Sequence, residues 1–462
     1  MSEFISTLAT QIWTPILFLL IFGGLFFLLY SGFIHYKYFG HAIGVLRGKY
    51  DNPNDPGQIN AYEALSTALA STVGMGNIAG VAAAISIGGP GALFWMWVTA
   101  FVGMSTNFFT STLSVMYRGR DSEGNIQGGP MYVIREGLSK WWYPLAIIFC
   151  ICTLVGCLPI FQANQLTQAI LDIGFSSTAF KDAAFTVGGM EISTPKFIIG
   201  IVLTIISAVV IIGGIQRIGK WAGKMVPLMI ILYFFSVLAI LVIHIDKVPE
   251  YFMMIITDAF AAEHYRGEPA LGGLVGGLIV AGVRRASFSN EAGIGTAPMA
   301  LGASRSKEPI REGLVSMASP VIDTLLVCTL TALAILVTDV WKTSGTNGVT
   351  LTATAFESSL GITGKILLLI SAFFFAITSL FSYSYYGNKA MSFMVGVKAG
   401  KYYDYFYLST IVLGAVLSMR DVMNIIDIAY AIMAVPTMVS GIILAPKVMK
   451  EAKRYFQKLE QK

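Results

Sequence analysis

Charge is scarce in this sequence: Asp, Glu, Lys and Arg make up 12% of its 462 residues, against roughly 25% in soluble globular domains. So few ionised side chains cannot coat a water-soluble protein of this size. Cysteine and histidine are as thin, at four residues each. Cys150, Cys152, Cys157 and Cys328 all lie in apolar stretches, so they read as small buried hydrophobes and not as a disulfide or metal framework. His35, His41, His244 and His264 are scattered and form no ligand spacing. The sequence has no glycine-rich phosphate loop, no nucleophile elbow and no metal motif, which argues against an enzyme.

What the chain has in excess is apolar. Hydrophobic residues make up 55% of it, and the mean hydropathy is +0.70. Runs of about 20 apolar residues mark membrane-spanning helices. Eleven are expected, at 13–36, 60–87, 90–117, 142–171, 196–215, 219–245, 271–300, 310–340, 364–396, 403–419 and 421–448. The first lacks a basic leader and a cleavage pattern, so it reads as a retained helix and not a signal peptide.

Basic residues set the orientation. The stretches 37–49, 118–140, 217–224, 305–311, 389–401 and 447–462 carry 22 of the 31 Lys and Arg. The alternating stretches carry seven, and Arg284 and Arg285 fall inside a span. The bias predicts a multi-pass protein of the plasma (inner) membrane with its N-terminus outside and its C-terminus cytoplasmic. The net charge of +5 then reflects topology and needs no nucleic-acid partner. The basic tail 449–462 reads as a helix end facing solvent or lipid headgroups.

Residues 1–59 form an added N-terminal helix with a cytoplasmic segment. Ten spans remain, five within 60–245 and five within 271–448. The first of the leading five starts inside and the first of the trailing five starts outside. Two five-helix halves of opposite topology are the arrangement of inverted-repeat transporters, so the expected fold is an all-α polytopic membrane protein. Loops 172–195, 246–270 and 341–363 lie on the outer side and are long enough for short helices over an entry path.

The first span of each half is interrupted. The leading one contains Ser71-Thr72-Val73-Gly74-Met75-Gly76-Asn77, where two glycines weaken the helix by roughly 0.8–1 kcal/mol each relative to alanine. The trailing one contains Gly272, Gly273, Gly276, Gly277 and Gly282, then Ser287-Phe288-Ser289-Asn290-Glu291-Ala292-Gly293-Ile294-Gly295-Thr296. The glycines alone could serve helix packing. Serine, asparagine and glutamate do more than permit close approach. Unwound backbone at membrane depth lines a cavity or is buried in protein, and matched breaks point to a binding site at the midplane.

Residues 88–103 read GGPGALFWMWVTAFVG, which resembles the signature of the alanine/glycine:cation symporter family. The resemblance runs on through ASTVGMGNIAGVA at 70–82, GGP at 128–130, GGIQRIGK at 213–220 and FSNEAGIGTAP at 288–298. It implies a fold similar to the bacterial leucine transporter with one extra N-terminal helix. It also implies sodium-coupled import of small neutral amino acids, alanine or glycine, by alternating access. Glutamine or another neutral amino acid, or proton coupling, is the alternative. No cofactor beyond Na⁺ as coupling ion is implied, the partners are the amino acid, sodium and the lipid bilayer, and a monomer would suffice.

Site residues follow from the same resemblance. VGMGN here matches four of five positions of VGLGN, which in the leucine-transporter fold holds substrate and one sodium ion. Free N–H groups at Gly74 and Gly76, beside a half-helix N-terminus, would favour the substrate carboxylate, with Thr72 and Met75 alongside. Oxygens of Thr72 and Asn77 suit a hard cation. The second ion site would use Thr378 and Ser379 with backbone carbonyls near Ala70 and Val73. The two hydroxyls could instead bond carbonyls of their own helix. Phe288, Ser289 and Asn290 would complete the substrate pocket. Gln162, Asn164 and Gln165 either line it or bond across helices. Arg284 and Arg285 would face a water-filled path or pair with Glu291, Asp323 or Asp427, as a structural ion pair, a gate or a carboxylate ligand. Glu63 and Asp323 read as gate or network acids. Two departures from the family pattern stand out: Met75 where threonine is common, and Asn107 with Thr110 where most members carry a lysine and a glutamate.

Overall fold

Helices carry nearly all the regular structure of the computed structural model, which describes residues 2–175, 184–187, 190–261, 277–343, 345–417 and 419–461. Among the described residues, eight helices are long and apolar enough to cross a membrane, or nine if the bent pair Ala61–Thr72 and Gly76–Gly88 counts as one span. That measure falls short of the expected eleven at two places. Residues 271–276 lie outside the described set, and the rest of that span divides into Gly277–Asn290 and Thr296–Leu301. The span expected at 403–419 is the helix Val397–Val416, whose first turns carry Lys398, Lys401 and Asp404.

The loops expected on the outer side hold more than short helices. The first carries a β-hairpin, Ala184–Val187 paired with Met190–Ser193. The second holds the helix Val248–Asp258. In the third, the helix Gly348–Val395 starts before its expected span and turns at Gly361, which has φ 62° and ψ −147°. A positive φ of this kind is open to glycine at little steric cost.

Burial is arranged opposite to that of a soluble protein. Large apolar side chains such as Ile205, Leu228, Phe235 and Val242 are exposed on the helices Thr194–Ile211 and Gly214–Ile243. Asn77, Asn107, Glu291, Asp323 and Lys389 are buried. In lipid the outer surface gains nothing from charge, and ionisable groups turn inward to partners or cavities. The helix Ala92–Met116 crosses the interior beside the second broken span and the helix Pro309–Ser316. There, a Cβ on Gly282 would lie 2.6 Å from the Ala92 carbonyl oxygen. Close packing therefore accounts for that glycine.

The N-terminal helix Ser2–Tyr30 lies along the final helix Met419–Glu460 and along Ala92–Met116. Trp13 anchors it by donating from Nε1 to the Asp427 carbonyl at 3.1 Å.

Candidate functional site

The first break begins where Val73 leaves helical backbone, at φ −76° and ψ 83°. Gly74 N–H then donates to Asn77 Oδ1 at 2.9 Å, and Met75 N–H to Gln162 Oε1 at 2.9 Å. In an unbroken helix these amides would bond the carbonyls of Ala70 and Ser71. Their diversion strips those two oxygens of their helical donors, and the Ser379 hydroxyl reaches the Ser71 oxygen at 3.5 Å. A π-helical stretch, Gly76–Gly80, restarts the span, and the two halves meet at 47°. The N–H of Gly74 is thus not free as the motif suggested. Side-chain oxygens of Asn77 and Gln162 stand where an anionic ligand would accept.

Asn77 ties this break to a carboxylate. Its Nδ2 donates to Asp323 Oδ1 at 2.6 Å and to the Asp323 carbonyl at 3.2 Å. The amide can face only this way, because its other atom accepts from Gly74 N–H. Ser289 Oγ at 2.8 Å and Thr324 Oγ1 at 2.7 Å donate to Asp323 Oδ2, and Cys328 Sγ lies 3.3 Å from both Asn77 Nδ2 and Ser289 Oγ. Every donor is neutral. Sequence reasoning put Asp323 among gate or network acids, and the fold sets it in a hydrogen-bonded network with Asn77. Its being the one acid between Leu314 and Val337 was the available signal.

The second break centres on Glu291, whose φ of 54° is uncommon for a residue with a side chain. The carboxylate is buried and holds the break from four sides. Tyr383 at 2.9 Å and Tyr430 at 3.0 Å donate to Oε1, while Ser71 at 3.3 Å and Thr296 donate to Oε2. Gly293 and Gly295, at φ 84° and 109°, complete the turn into Thr296–Leu301. Asn290 is turned inward, accepting from Ala292 N–H at 3.0 Å and donating to Thr324 at 3.0 Å. The tyrosines were not foreseen, since nothing local marks them.

Between the breaks stand Phe288, Gly76 and Gln162. The Phe288 ring packs edge-on to Phe161 at 5.1 Å and tilted to Tyr430 at 5.4 Å. It would lie 3.6 Å from a Cβ on Gly76. Met75 and Thr72 are buried as well. The fold separates the expected hydroxyl pair. Ser379 faces the first break, and each hydroxyl also bonds its own helix: Ser379 to the Phe375 carbonyl at 3.0 Å, Thr378 to that of Phe374 at 2.9 Å. Thr378 otherwise meets Met229 Sδ at 3.5 Å. Glu63 closes a capping box with Asn60 at the start of the first broken span. Arg284 pairs with Asp427 on the final helix.

Arg285 lines a cavity of ≈ 560 Å³ together with Ala79, Gly80, Phe161, Gln165, Gln168 and Asn347. Asn107 is buried, with neither amide atom bonded among the described residues, and Thr110 bonds the Thr106 carbonyl at 2.9 Å.

On the opposite side the later half of the second broken span, Thr296–Leu301, is fastened down. Arg118 donates to the carbonyls of Gly302 at 2.9 Å, Ser306 at 2.8 Å, Pro56 at 3.2 Å and Ser304. Lys389 donates to the Met299 carbonyl at 2.8 Å and to Tyr385 at 2.9 Å.

Two broken helices facing one another inside a polytopic bundle, with a buried acid beside the breaks, define a secondary transporter. The model of the sodium:alanine symporter family matches residues 1–462, and the chain belongs to that family. It is 36% identical to an uncharacterised transporter of Haemophilus influenzae, covering 99% of this chain and 96% of that one. It is 34% identical to the sodium/alanine symporter AgcS of Methanococcus maripaludis, covering 98% and 96%. Identity to GlnT of Bacillus subtilis, described as a probable sodium/glutamine symporter, is 30%, covering 96% and 88%. Among solved structures, MhsT in complex with L-phenylalanine matches at a TM-score of 0.58 and 14% identity, covering 84% of this chain and 89% of that one. The fold is therefore leucine-transporter-like, and the protein is an amino-acid:cation symporter of the membrane, not an enzyme.

Proposed function

We propose that the protein imports alanine or glycine with Na⁺ by alternating access. The observation that carries this reading is the Asn77–Asp323–Ser289 cluster beside the first break. Asp323 is buried among neutral donors, and among the described residues no Lys or Arg pairs with it. A buried carboxylate without a cation is costly. A sodium ion held there by the Asp323 carboxylate and the Ser289 and Thr324 hydroxyl oxygens, joined by the Asn77 oxygen once the substrate carboxylate replaces it on Gly74 N–H, would offset that cost. Hard cations favour such a donor set.

The amino acid binds next to it. Its carboxylate takes the positions of the Gln162 and Asn77 oxygens on the N–H groups of Met75 and Gly74, near the restart of the helix, where partial positive charge favours an anion. Phe288 and Phe161 crowd the remaining side, which supports a small side chain. A second sodium ion would use Ser379 with the Ala70 and Ser71 carbonyls. Thr72, Val73 and Thr378 stand next in line as ligands, and Ser289, Asn290 and Gln165 as pocket residues.

Because both ligands complete the same unwound segment, each raises the affinity for the other by the same factor. The five-helix halves 60–245 and 271–448 would then rock about the site. The N-terminus lies outside, the C-terminus in the cytoplasm, and one chain holds the whole transport path.

Uptake of labelled alanine into liposomes under an inward Na⁺ gradient, competed by a panel of amino acids, tests the substrate. The account expects competition by glycine. Alanine uptake indifferent to glycine but blocked by glutamine would move the substrate to the larger neutral class, consistent with the kinship to GlnT.

A further inference from the structure

The two adjacent arginines of the second broken span have different surroundings. Arg284 pairs with Asp427. Arg285 has no carboxylate within ion-pair distance and no hydrogen-bond acceptor among the described residues, and it lines the cavity that also reaches Phe161 and Gln165. That cavity, at ≈ 560 Å³, falls in the range of small-molecule sites, roughly 300–1,000 Å³. A guanidinium inside a membrane-spanning segment is retained where it meets a partner or a water-filled path. Arg285 has the path, and among the described residues it shares only at longer range the Asp427 charge that Arg284 already pairs with.

We propose that Arg285 captures the carboxylate of the incoming amino acid in this vestibule, before the substrate reaches the break. The inference rests on the amino-acid reading of the central site. Guanidinium matches a carboxylate through two parallel N–H donors. The vestibule also supplies acceptors for the ammonium group. Gln168 spends its NH₂ on Asp172 at 2.7 Å, leaving its amide oxygen as an acceptor, and Asn347 lines the same cavity. Arg285 precedes Ser289 by one helical turn, about 6 Å along the axis. Phe161 and Gln165 lie on the helix whose Gln162 touches Met75. A zwitterion held at Arg285 is therefore one short step from the site. Arg284 cannot substitute, because its charge is already matched.

Initial rates of Na⁺-driven uptake in liposomes, for the wild type, Arg285→Gln and Arg285→Lys, test the proposal. Arg285→Gln is expected to raise KM roughly 10- to 100-fold, the effect of losing a charged hydrogen-bond partner. Vmax and the Na⁺ activation constant should stay near wild type. A merely structural arginine would instead depress Vmax and Na⁺ affinity together, and that pattern overturns the proposal, as does an unchanged KM. If Arg285→Gln fails to insert, Arg285→Lys decides, since a lysine lacks the fork: a raised KM at constant Vmax supports capture and an unchanged KM refutes it. Replacing chloride by gluconate separates the other anion. Wild-type uptake that collapses without chloride while Arg285→Gln is indifferent assigns the site to chloride and sinks the substrate role. A wild type that carries no amino acid removes both this inference and the reading beneath it. Normal wild-type uptake with a normal variant removes this inference alone.

Discussion

A methyl group added at Gly74 would collide with the Ser379 hydroxyl and stand 3.1 Å from the Gln162 amide, while one added at Gly80 meets nothing within 4 Å. Gly74→Ala is therefore expected to abolish Na⁺-driven uptake in a protein that still folds. Gly80→Ala, whose methyl projects into the open Arg285 cavity, is expected to leave Na⁺-driven uptake measurable with at most a raised KM. Thermal stability measured alongside uptake separates a blocked site from a misfolded chain. At Asp323 the conservative change is Asp323→Asn, which keeps volume and removes charge. Losing a charged ligand should weaken Na⁺ activation by roughly 10- to 100-fold, read from the Na⁺ dependence of initial rates. Unchanged Na⁺ dependence would exclude Asp323 from the ion site. These residues were unequally legible in the sequence. The glycines and Asn77 are marked by their motif. Asp323 meets Asn77 across 246 residues, and that distance hides the pairing. Thr378 and Ser379 are neighbours, yet only helix rotation decides which one faces the break.

Both broken helices were legible as elements, because polar and glycine residues interrupt otherwise apolar runs. The long helix Gly348–Val395 was not fully so: its first turns, residues 348–360, are a largely buried segment that packs on the first broken span, with Thr352 donating to the Ile78 carbonyl at 3.2 Å, and they join a span through Gly361. The hairpin in the first outer loop was missed for want of an alternating pattern long enough to declare strands. Gly295→Ala tests the second break as an element. Its φ of 109° and a Cβ 2.7 Å from Pro130 Cγ predict a loss of about 1–3 kcal/mol, visible as a lower melting temperature.

At the protein surface, Asp339 joins the helix Val248–Asp258 to Val340–Thr343 through Tyr251, Lys247 at 2.9 Å and Lys342 at 2.7 Å. Partial burial opposes ionisation, but hydrogen bonds from Lys342, Tyr251 and Lys247 outweigh it and hold this carboxyl well below the usual range. A depressed folded-state pKa gives stability that is present above the unfolded value near 3.9 and lost as pH falls through the folded one. Asp339→Asn should therefore lower the melting temperature modestly at pH 7, the pair being half exposed. The difference from wild type should shrink as the pH drops below about 4.

Taken as a whole, the molecule has the Arg285 cavity on one side of the breaks and a set of fastenings on the other. That cavity also takes in Asn347 and Gly348, whereas Arg118 and Lys389 bind carbonyls of Thr296–Leu301 and its flanks. Arg118→Gln removes four such bonds. It should favour an inward-open state, measured as faster maleimide labelling of Ser384→Cys from the cytoplasmic side in a background without the native cysteines. Ser384 is buried at the edge of a second cavity, of ≈ 160 Å³, that Gln58 and Lys389 also line, so unchanged labelling would mean that Arg118 does not hold that side shut. The most direct test of the central claim, that one unwound segment binds cation and amino acid together, is the steady-state accumulation of labelled alanine in liposomes as the Na⁺ gradient is varied. The account predicts accumulation above equilibrium that rises with the Na⁺ gradient and vanishes when K⁺ replaces Na⁺. Alanine that merely equilibrates, or accumulates equally in K⁺, would contradict it.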